Sequence, residues 1–345
     1  MMMPGRRSSA MAMAADDDWV DVAEEFCGPE EWVVLVGDEG SMAAVFFGRA
    51  AAGIGSAVAA PIPIVGPADA AAGCRGRVLL AGAAGCGGGE GVAPPPIPIA
   101  GPADAMAACR GRVLLSSPWS RYYVVDPAAG ERHALPRPRH ANPGDAAIAC
   151  DAAGGGYWVV CAFRDRFEIY ASATGEWREV AASEAAGVVP GSAAAFAGCV
   201  FWKLAASPGV LALDVASGTT REIASPSPCR DPAALWQLGV AAGHLCAAVR
   251  TGDGVELYGL APGPAWKLLH GICGLAVDDG CEDTRLRPLR FESDNYEVLL
   301  RVGERVLALD IVDGIVREAR LDGAALPEKD EKIVPWCRAA STLLL

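Results

Sequence analysis

Five glycines pace this chain. Gly130, Gly175, Gly218, Gly263 and Gly314 stand 45, 43, 45 and 51 residues apart. Each lies in a short turn between two β-favouring runs: YYVVDPAAGERHAL (122–135), FEIYASATGEWREV (167–180), VLALDVASGTTREI (210–223), VELYGLAPGPAWKLL (255–269) and VLALDIVDGIVREA (306–319). Asp126, Asp214 and Asp310 precede three of these glycines by four residues. The pattern has a mechanism. An Asp side chain bonds its own backbone in a turn, and Gly takes the φ > 0 position that a tight hairpin needs.

A second hairpin precedes most of these units. It turns through three glycines in AIACDAAGGGYWVVCAF (147–163), at Ala197-Gly198 in SAAAFAGCVFWKL (192–204) and at Ala242-Gly243 in LWQLGVAAGHLCAAV (235–249). In RPLRFESDNYEVLLRV (287–302) the expected turn is Ser293-Asp294-Asn295. Each period therefore holds about four short strands, with little helical periodicity. Four strands per repeat of this length predict an all-β chain, a β-propeller of about five to six four-stranded blades. A β-sandwich also has many short strands, but nothing in a sandwich requires Asp-x-x-x-Gly at this spacing. Five blades are visible from about 109 to 321. WVVLVGDEGSMAAVFF (32–47) offers a sixth, and the tail IVPWCRAASTLLL (333–345) a closing strand to the first blade.

A different repeat lies nearby. PIPIVGPADAAAGCRGRVLL (61–80) recurs as PIPIAGPADAMAACRGRVLL (96–115), differing only at Val65/Ala100, Ala71/Met106 and Gly73/Ala108. Only the second copy runs into strand-forming sequence. The first runs into AGAAGCGGGEGVAPP (81–95), which has linker composition. Two near-identical copies are a local duplication; a stable array needs three or more units. The chain divides on this reading into a disordered or weakly helical start (1–31), a possible extra strand pair (32–60), the duplicated segment with its linker (61–95) and the propeller (96–345).

Composition narrows the partners. A net charge of −13 disfavours nucleic acid. No run of about 18 apolar residues is present, so no membrane helix is expected. The 12 cysteines are scattered without a CxxC pair, several inside apolar runs, and read as reduced, buried small hydrophobes. A cytoplasmic and/or nuclear chain follows.

The phrases CRGRVLL (109–115), YYVVDPAAGERHALP (122–136), FEIYASATGEWRE (167–179), CVFWKL (199–204) and GVLALDVASGTTREI (209–223) resemble plant F-box proteins. The likeness is to their C-terminal, kelch-like F-box-associated β-propeller, and it covers 109–321. It implies a propeller that holds a protein substrate for a cullin–RING ubiquitin ligase. In that family a helical F-box before the propeller docks on the ligase adaptor. Residues 18–60 carry no Leu-Pro-x-x-Leu opening and no amphipathic helix pair. The resemblance therefore implies another protein as partner, with the cullin-ligase adaptor only if an F-box is restored. A free-standing propeller scaffold is the alternative, and a propeller enzyme a further one.

Catalytic chemistry is hard to assemble. The histidines are His133, His140, His244 and His270, with no HExxH and no zinc-spaced Cys/His set. No GxSxG elbow occurs. GCGGGEG (85–91) lacks the Lys-Ser/Thr of a phosphate loop, and DDGCED (278–283) lacks EF-hand spacing. Neither an enzyme, a cofactor nor a metal is expected. Trp158, Trp177, Trp202 and Trp266 lie in strands and read as packing between blades. Trp119 and Arg121 flank a loop, SSPWSR (116–121), and have the composition of an interaction hot spot.

Overall fold

A computed structural model describes residues 32–38, 41–47, 61–63, 77–79, 104–117, 121–126, 131–151, 155–182, 187–252, 254–261, 265–273, 286–293, 296–303, 305–318 and 333–337. The chain starts with β1 (Trp32–Asp38), β2 (Ser41–Phe47), β3 (Pro61–Pro63) and β4 (Arg77–Leu79). Blade one is β5 (Asp104–Cys109), β6 (Arg112–Ser117), β7 (Arg121–Asp126) and β8 (Glu131–Ala134). Blade two is β9 (Asp145–Cys150), β10 (Tyr157–Ala162), β11 (Arg166–Ala171) and β12 (Glu176–Ala181). Blade three is β13 (Ala194–Phe196), β14 (Cys199–Lys203), β15 (Gly209–Asp214) and β16 (Thr220–Ala224). Blade four is β17 (Trp236–Ala241), β18 (His244–Thr251), β19 (Gly254–Leu260) and β20 (Trp266–Ile272). Blade five holds β21 (Arg287–Pro288), β22 (Phe291–Ser293), β23 (Glu297–Val302), β24 (Arg305–Asp310) and β25 (Val316–Glu318), and β26 (Ile333–Cys337) ends the series.

The fold is a β-propeller. Five antiparallel meanders from 104–318 form five blades, and β2-β1-β26 forms a three-stranded sheet between the last and the first. The strands nearest the axis follow one another as β26, β5, β9, β13, β17, β22 and back to β26. β26 pairs with β1, Trp32 opposite Cys337 and Val36 opposite Ile333, so the first and last described strands close the ring in one sheet. Closure of this kind joins the last blade to the first and leaves only short, protected edges.

Turn chemistry explains why each meander forms. Ala197-Gly198 (φ +49° and +74°) and Ala242-Gly243 (+45° and +71°) are two-residue hairpins with both φ positive, the turn whose twist matches paired strands. Arg110-Gly111 (+46° and +77°) makes the same turn in blade one. In the outer hairpins Asp214 Oδ1 accepts from the N–H groups of Ala216 and Ser217, at 2.9 and 2.7 Å. Asp310 Oδ1 accepts from Val312 and Asp313 at 3.0 and 3.1 Å. Gly175, Gly218 and Gly314 take φ of +73°, +78° and +69°. Gly130 and Gly263 lie outside the described residues, and Asp126 ends β7, half-buried.

The core is shared between blades. One cluster joins Leu114, Tyr122 and Val124 to Ile148, Val159 and Cys161, across blades one and two. Others join Phe167 and Ile169 to Trp202 and Leu211, and Val210 and Ile223 to Leu245 and Val249. Strands packed on both faces explain the unbroken burial of β9 and β23. Tryptophans stitch the joints. Trp177 Nε1 donates to Pro136 O and Trp266 Nε1 to Ala224 O, both at 2.7 Å. Trp202 Nε1 donates to Asp145 Oδ2 at 3.0 Å and its ring stacks on Phe167. Asp145 is buried, and burial raises its carboxyl pKa above the ordinary value.

One expectation is corrected. The hairpin expected over 287–302 is broken: β21 pairs with β23, while β22 leaves its blade and pairs in parallel with β17. Gly239 faces Phe291 in that ladder, Val240 faces Glu292 and Ala241 faces Ser293. Residues 294–295 lie outside the described residues, as do the start at 1–31 and the acidic loop at 278–283. Within the duplicated segment the two copies pair differently. Arg77–Leu79, the counterpart of Arg112–Leu114, pairs with Pro61–Pro63, whereas Arg112–Leu114 pairs with β5 and β7.

Candidate functional site

The propeller offers three places for a ligand: its axis and its two ends. The axis is nearly filled. Ala107 and Ala108 from β5, Ala147 and Ile148 from β9, Ala194 and Ala195 from β13 and Leu238 and Val240 from β17 line it with β22 and β26. Small side chains let the inner strands approach, and the remaining cavity is about 30 Å³, room for one or two waters. The β17–β22 ladder zips one side of it shut.

At one end the inner strands run into tight turns. At the other, connections carry the chain from the outer strands back to the axis, with described residues at 135–144, 187–193 and 225–235. Bonds near the starts of the inner strands tie this end together. Gln237 Nε2 donates to Gly191 O at 3.2 Å, and the Gly191 N–H bonds Asp145.

Arginines gather on this end over blades one and two. Arg121 opens β7, Arg137 and Arg139 lie in the first long connection, and Arg164 lies in the β10–β11 turn. All four are exposed, and among the described residues no acidic side chain pairs with any of them. Arg166 is different. It donates to Asp165 at 2.6 Å and to Glu179 at 2.7 Å.

The connection carrying Arg137 and Arg139 is held by one buried carboxylate. Glu168 in β11 is fully buried. Its oxygens accept from the N–H groups of Arg139 and His140, at 2.7 and 3.0 Å, and bond His140 Nδ1. The His140 ring packs on Phe163. Buried carboxylates survive when their lone pairs are met in this way. His140, Glu168 and Glu179 also bring three metal-ligating atoms together. The Arg166 guanidinium lies among them, 3.3 Å from His140 Nε2, and supplies the positive charge itself. The cluster is a latch rather than a metal site.

Further round the same end, Lys203 Nζ donates to Trp236 O at 2.8 Å and sits 4.6 Å from the Trp236 ring centroid. Burial pushes its pKa below the ordinary lysine value.

Of the residues singled out in the sequence, Arg121 is on the arginine-bearing end. Trp119 lies outside the described residues. The turn residues Asp214, Gly218, Asp310 and Gly314 lie at the opposite end and away from the axis. Sequence reasoning missed Arg137, Arg139, Arg164 and the Glu168 latch. The run PRPRH (136–140) was the one available signal, two cations inside a proline-rich connection.

No family model matches the chain, and no curated protein matches it. Solved structures do. One is the "Crystal structure of Nidogen/Laminin Complex", at 15% identity and a TM-score of 0.43, covering 68% of this chain and 84% of that one. Another is PorZ, a bacterial surface component of the type-IX secretion system of Porphyromonas gingivalis. It matches at 12% identity and a TM-score of 0.38, covering 66% of this chain and 27% of that one.

Proposed function

We propose that the protein is a protein-binding propeller that takes an acidic segment of its partner on the arginine-bearing end of blades one and two. The carrying observation is the pairing of a nearly filled axis with four surface arginines that have no acidic partner among the described residues. A cavity of about 30 Å³ admits no substrate, so binding belongs to an outer surface. Arg121, Arg137, Arg139 and Arg164 are solvated cations on a chain of net charge −13. Arginine forks recognise carboxylates bidentately, and such charge attracts an acidic partner over distance. The Glu168 latch holds Arg139 in place before binding, which lowers the ordering cost.

The F-box-associated resemblance gives this surface a role, recognition of a protein destined for a cullin–RING ubiquitin ligase. Direct docking on the ligase adaptor is outside the proposal, because 18–60 carries no F-box sequence. Cross-linking capture by the full chain, compared with an Arg121→Glu/Arg139→Glu/Arg164→Glu variant, is the test. Captured proteins should be acidic and lost with the triple variant. They should be competed by polyglutamate and retained by Arg221→Glu on the outer strand β16. Partners that bind both variants equally, or cross-link at the opposite end, overturn the reading. Near-stoichiometric co-purification with the adaptor overturns the exclusion of direct docking.

A further inference from the structure

The joint between blades one and two contains a pair of thiols that the binding surface does not use. Cys109 ends β5 and Cys150 ends β9, two strands that lie side by side at the axis. Both are free and buried, 5% and 7% exposed. Cys150 Sγ donates to Cys109 O at 3.2 Å, which sets the two residues against each other. Arg112, from the neighbouring strand β6, brings Nη1 to 4.0 Å from Cys150 Sγ. The same guanidinium lies over the Tyr157 ring, 5.5 Å from its centroid, which holds it in place.

We propose that Cys109 and Cys150 are a peroxide-oxidisable pair that closes to a disulfide between blades one and two. Two features separate them from the other buried thiols. The first is geometry, the Cys150 sulfur against the Cys109 carbonyl across the joint between two consecutive blades. The second is charge asymmetry. Contact with Cys109 and the Arg112 guanidinium hold the Cys150 thiol below its ordinary pKa, while contact with Cys150 and burial push Cys109 well above its own. Cys150, the sulfur beside the Arg112 guanidinium, is the attacking one and Cys109 the resolving one. By contrast Cys246 is fully buried, bonds Ala241 O, and is pushed up to about 12 by burial.

The chemistry balances with hydrogen peroxide as oxidant. The Cys150 thiolate attacks one peroxide oxygen, the O–O bond breaks, and the leaving hydroxide takes a proton to become water. Cys150 is now a sulfenic acid. The Cys109 sulfur then attacks Cys150 Sγ, forming the S–S bond, and the sulfenic oxygen leaves with the Cys109 proton as the second water. Two thiols and one peroxide give one disulfide and two waters.

The test uses the full chain in a Cys273→Ser background, which removes a described exposed thiol. Dilute hydrogen peroxide followed by non-reducing peptide mapping should yield the 109–150 linked peptides. Cys109→Ser should instead leave Cys150 as a sulfenic acid that dimedone traps, and Cys150→Ser should abolish both products. Arg112→Gln should slow the reaction several-fold without changing the product. The oxidised protein should melt about 5 °C higher, since the link closes a long loop, and dithiothreitol should reverse the shift. Absence of the linked peptide under peroxide that oxidises Cys273 in the parent chain overturns the proposal. So does equal dimedone labelling of Cys246.

Discussion

Gly239 and Phe291 occupy the same space at the axis. A Cβ on Gly239 would stand 2.5 Å from both Cγ and the backbone oxygen of Phe291. Only a residue without a side chain lets β22 leave blade five and pair in parallel with β17. The Phe291 ring, 2% exposed, fills the gap that the glycine leaves. Gly239→Ala should therefore cost about 1–3 kcal/mol, the usual penalty for overpacking a close joint. Gly156, where a Cβ would meet nothing nearer than Ser172 Oγ at 3.6 Å, is the control. Gly156→Ala should stay within about 0.5 kcal/mol of the parent. Chemical denaturation gives both values, and equal midpoints would mean that β22 is free to move off β17.

The outer turns are graded in the same way. Gly175 and Gly218 share a positive φ, but a Cβ on Gly175 meets nothing within 4 Å. One on Gly218 meets Val180 Cγ2 at 2.8 Å and Arg178 Nη1 at 3.0 Å, because the β15–β16 turn nests on β12 of the preceding blade. Arg178 also bonds the carbonyls of Val215 and Ala216 there. Gly175→Ala should cost about 1 kcal/mol from backbone strain alone. Gly218→Ala should cost about 1–2 kcal/mol more. A larger loss at Gly175 than at Gly218 in urea titrations would contradict the nesting.

Asp145 makes stability depend on pH in an unusual direction. Its buried carboxyl keeps the proton more tightly in the folded state than in the unfolded one. Below about pH 3.9 both states are protonated and burial adds no penalty. As pH rises from there the unfolded state ionises first, and stability falls until pH passes the raised folded value. Asp145→Asn still offers Trp202 an acceptor and removes that loss. Relative to the parent, the variant should gain stability between pH 4 and pH 7. A difference in denaturation midpoint that does not change with pH would refute this. Trp202→Phe should cost about 1–3 kcal/mol at pH 7, because it strips a buried hydrogen bond from the carboxylate.

What the sequence disclosed and what it hid divide along a physical line. Turns were legible because positive φ forces a small set of residues. Ala197-Gly198, Ala242-Gly243, Gly218 and Gly314 are visible for that reason, and they suffice to predict blades. Arg110-Gly111 makes the same turn, but an arginine in its first position does not advertise it. Glu168 was hidden for the opposite reason. In FEIY (167–170) it alternates with Phe167 and Ile169 and reads as a solvent-facing position. It is buried because a connection 28 residues earlier folds over it, and alternation carries no information about that cover. The departure of β22 depends likewise on a glycine in another blade.

Glu168→Ala should therefore act locally. It removes the acceptor of two backbone N–H groups and of the His140 ring, and should cost about 2–3 kcal/mol. Amide exchange at Arg139 and His140 should accelerate by more than tenfold, while amides of β9 and β10 keep their protection. Because Arg139 is positioned by the same carboxylate, binding of the acidic partner should weaken as well. Uniform loss of protection across blade two would mean that Glu168 supports the blade rather than the connection.

The duplicated segment gives the last expectation. Among the described residues β3 and β4 are hydrogen-bonded only to each other, and no ladder joins them to a blade. β4 does lie against β2, so it covers part of the sixth sheet without being built into it. The second copy supplies β5 and β6, whose pairing with β7 and packing against β9 complete blade one. Deleting residues 61–95 joins Ala60 to Pro96 and leaves every inner strand in place. The ring should close as before through β1 and β26, and Tm should fall by no more than about 3 °C. That shift corresponds to about 1–2 kcal/mol for a chain of this size. A larger fall, or loss of the cooperative transition, would mean that the first copy completes the sixth sheet and that the duplication is architectural.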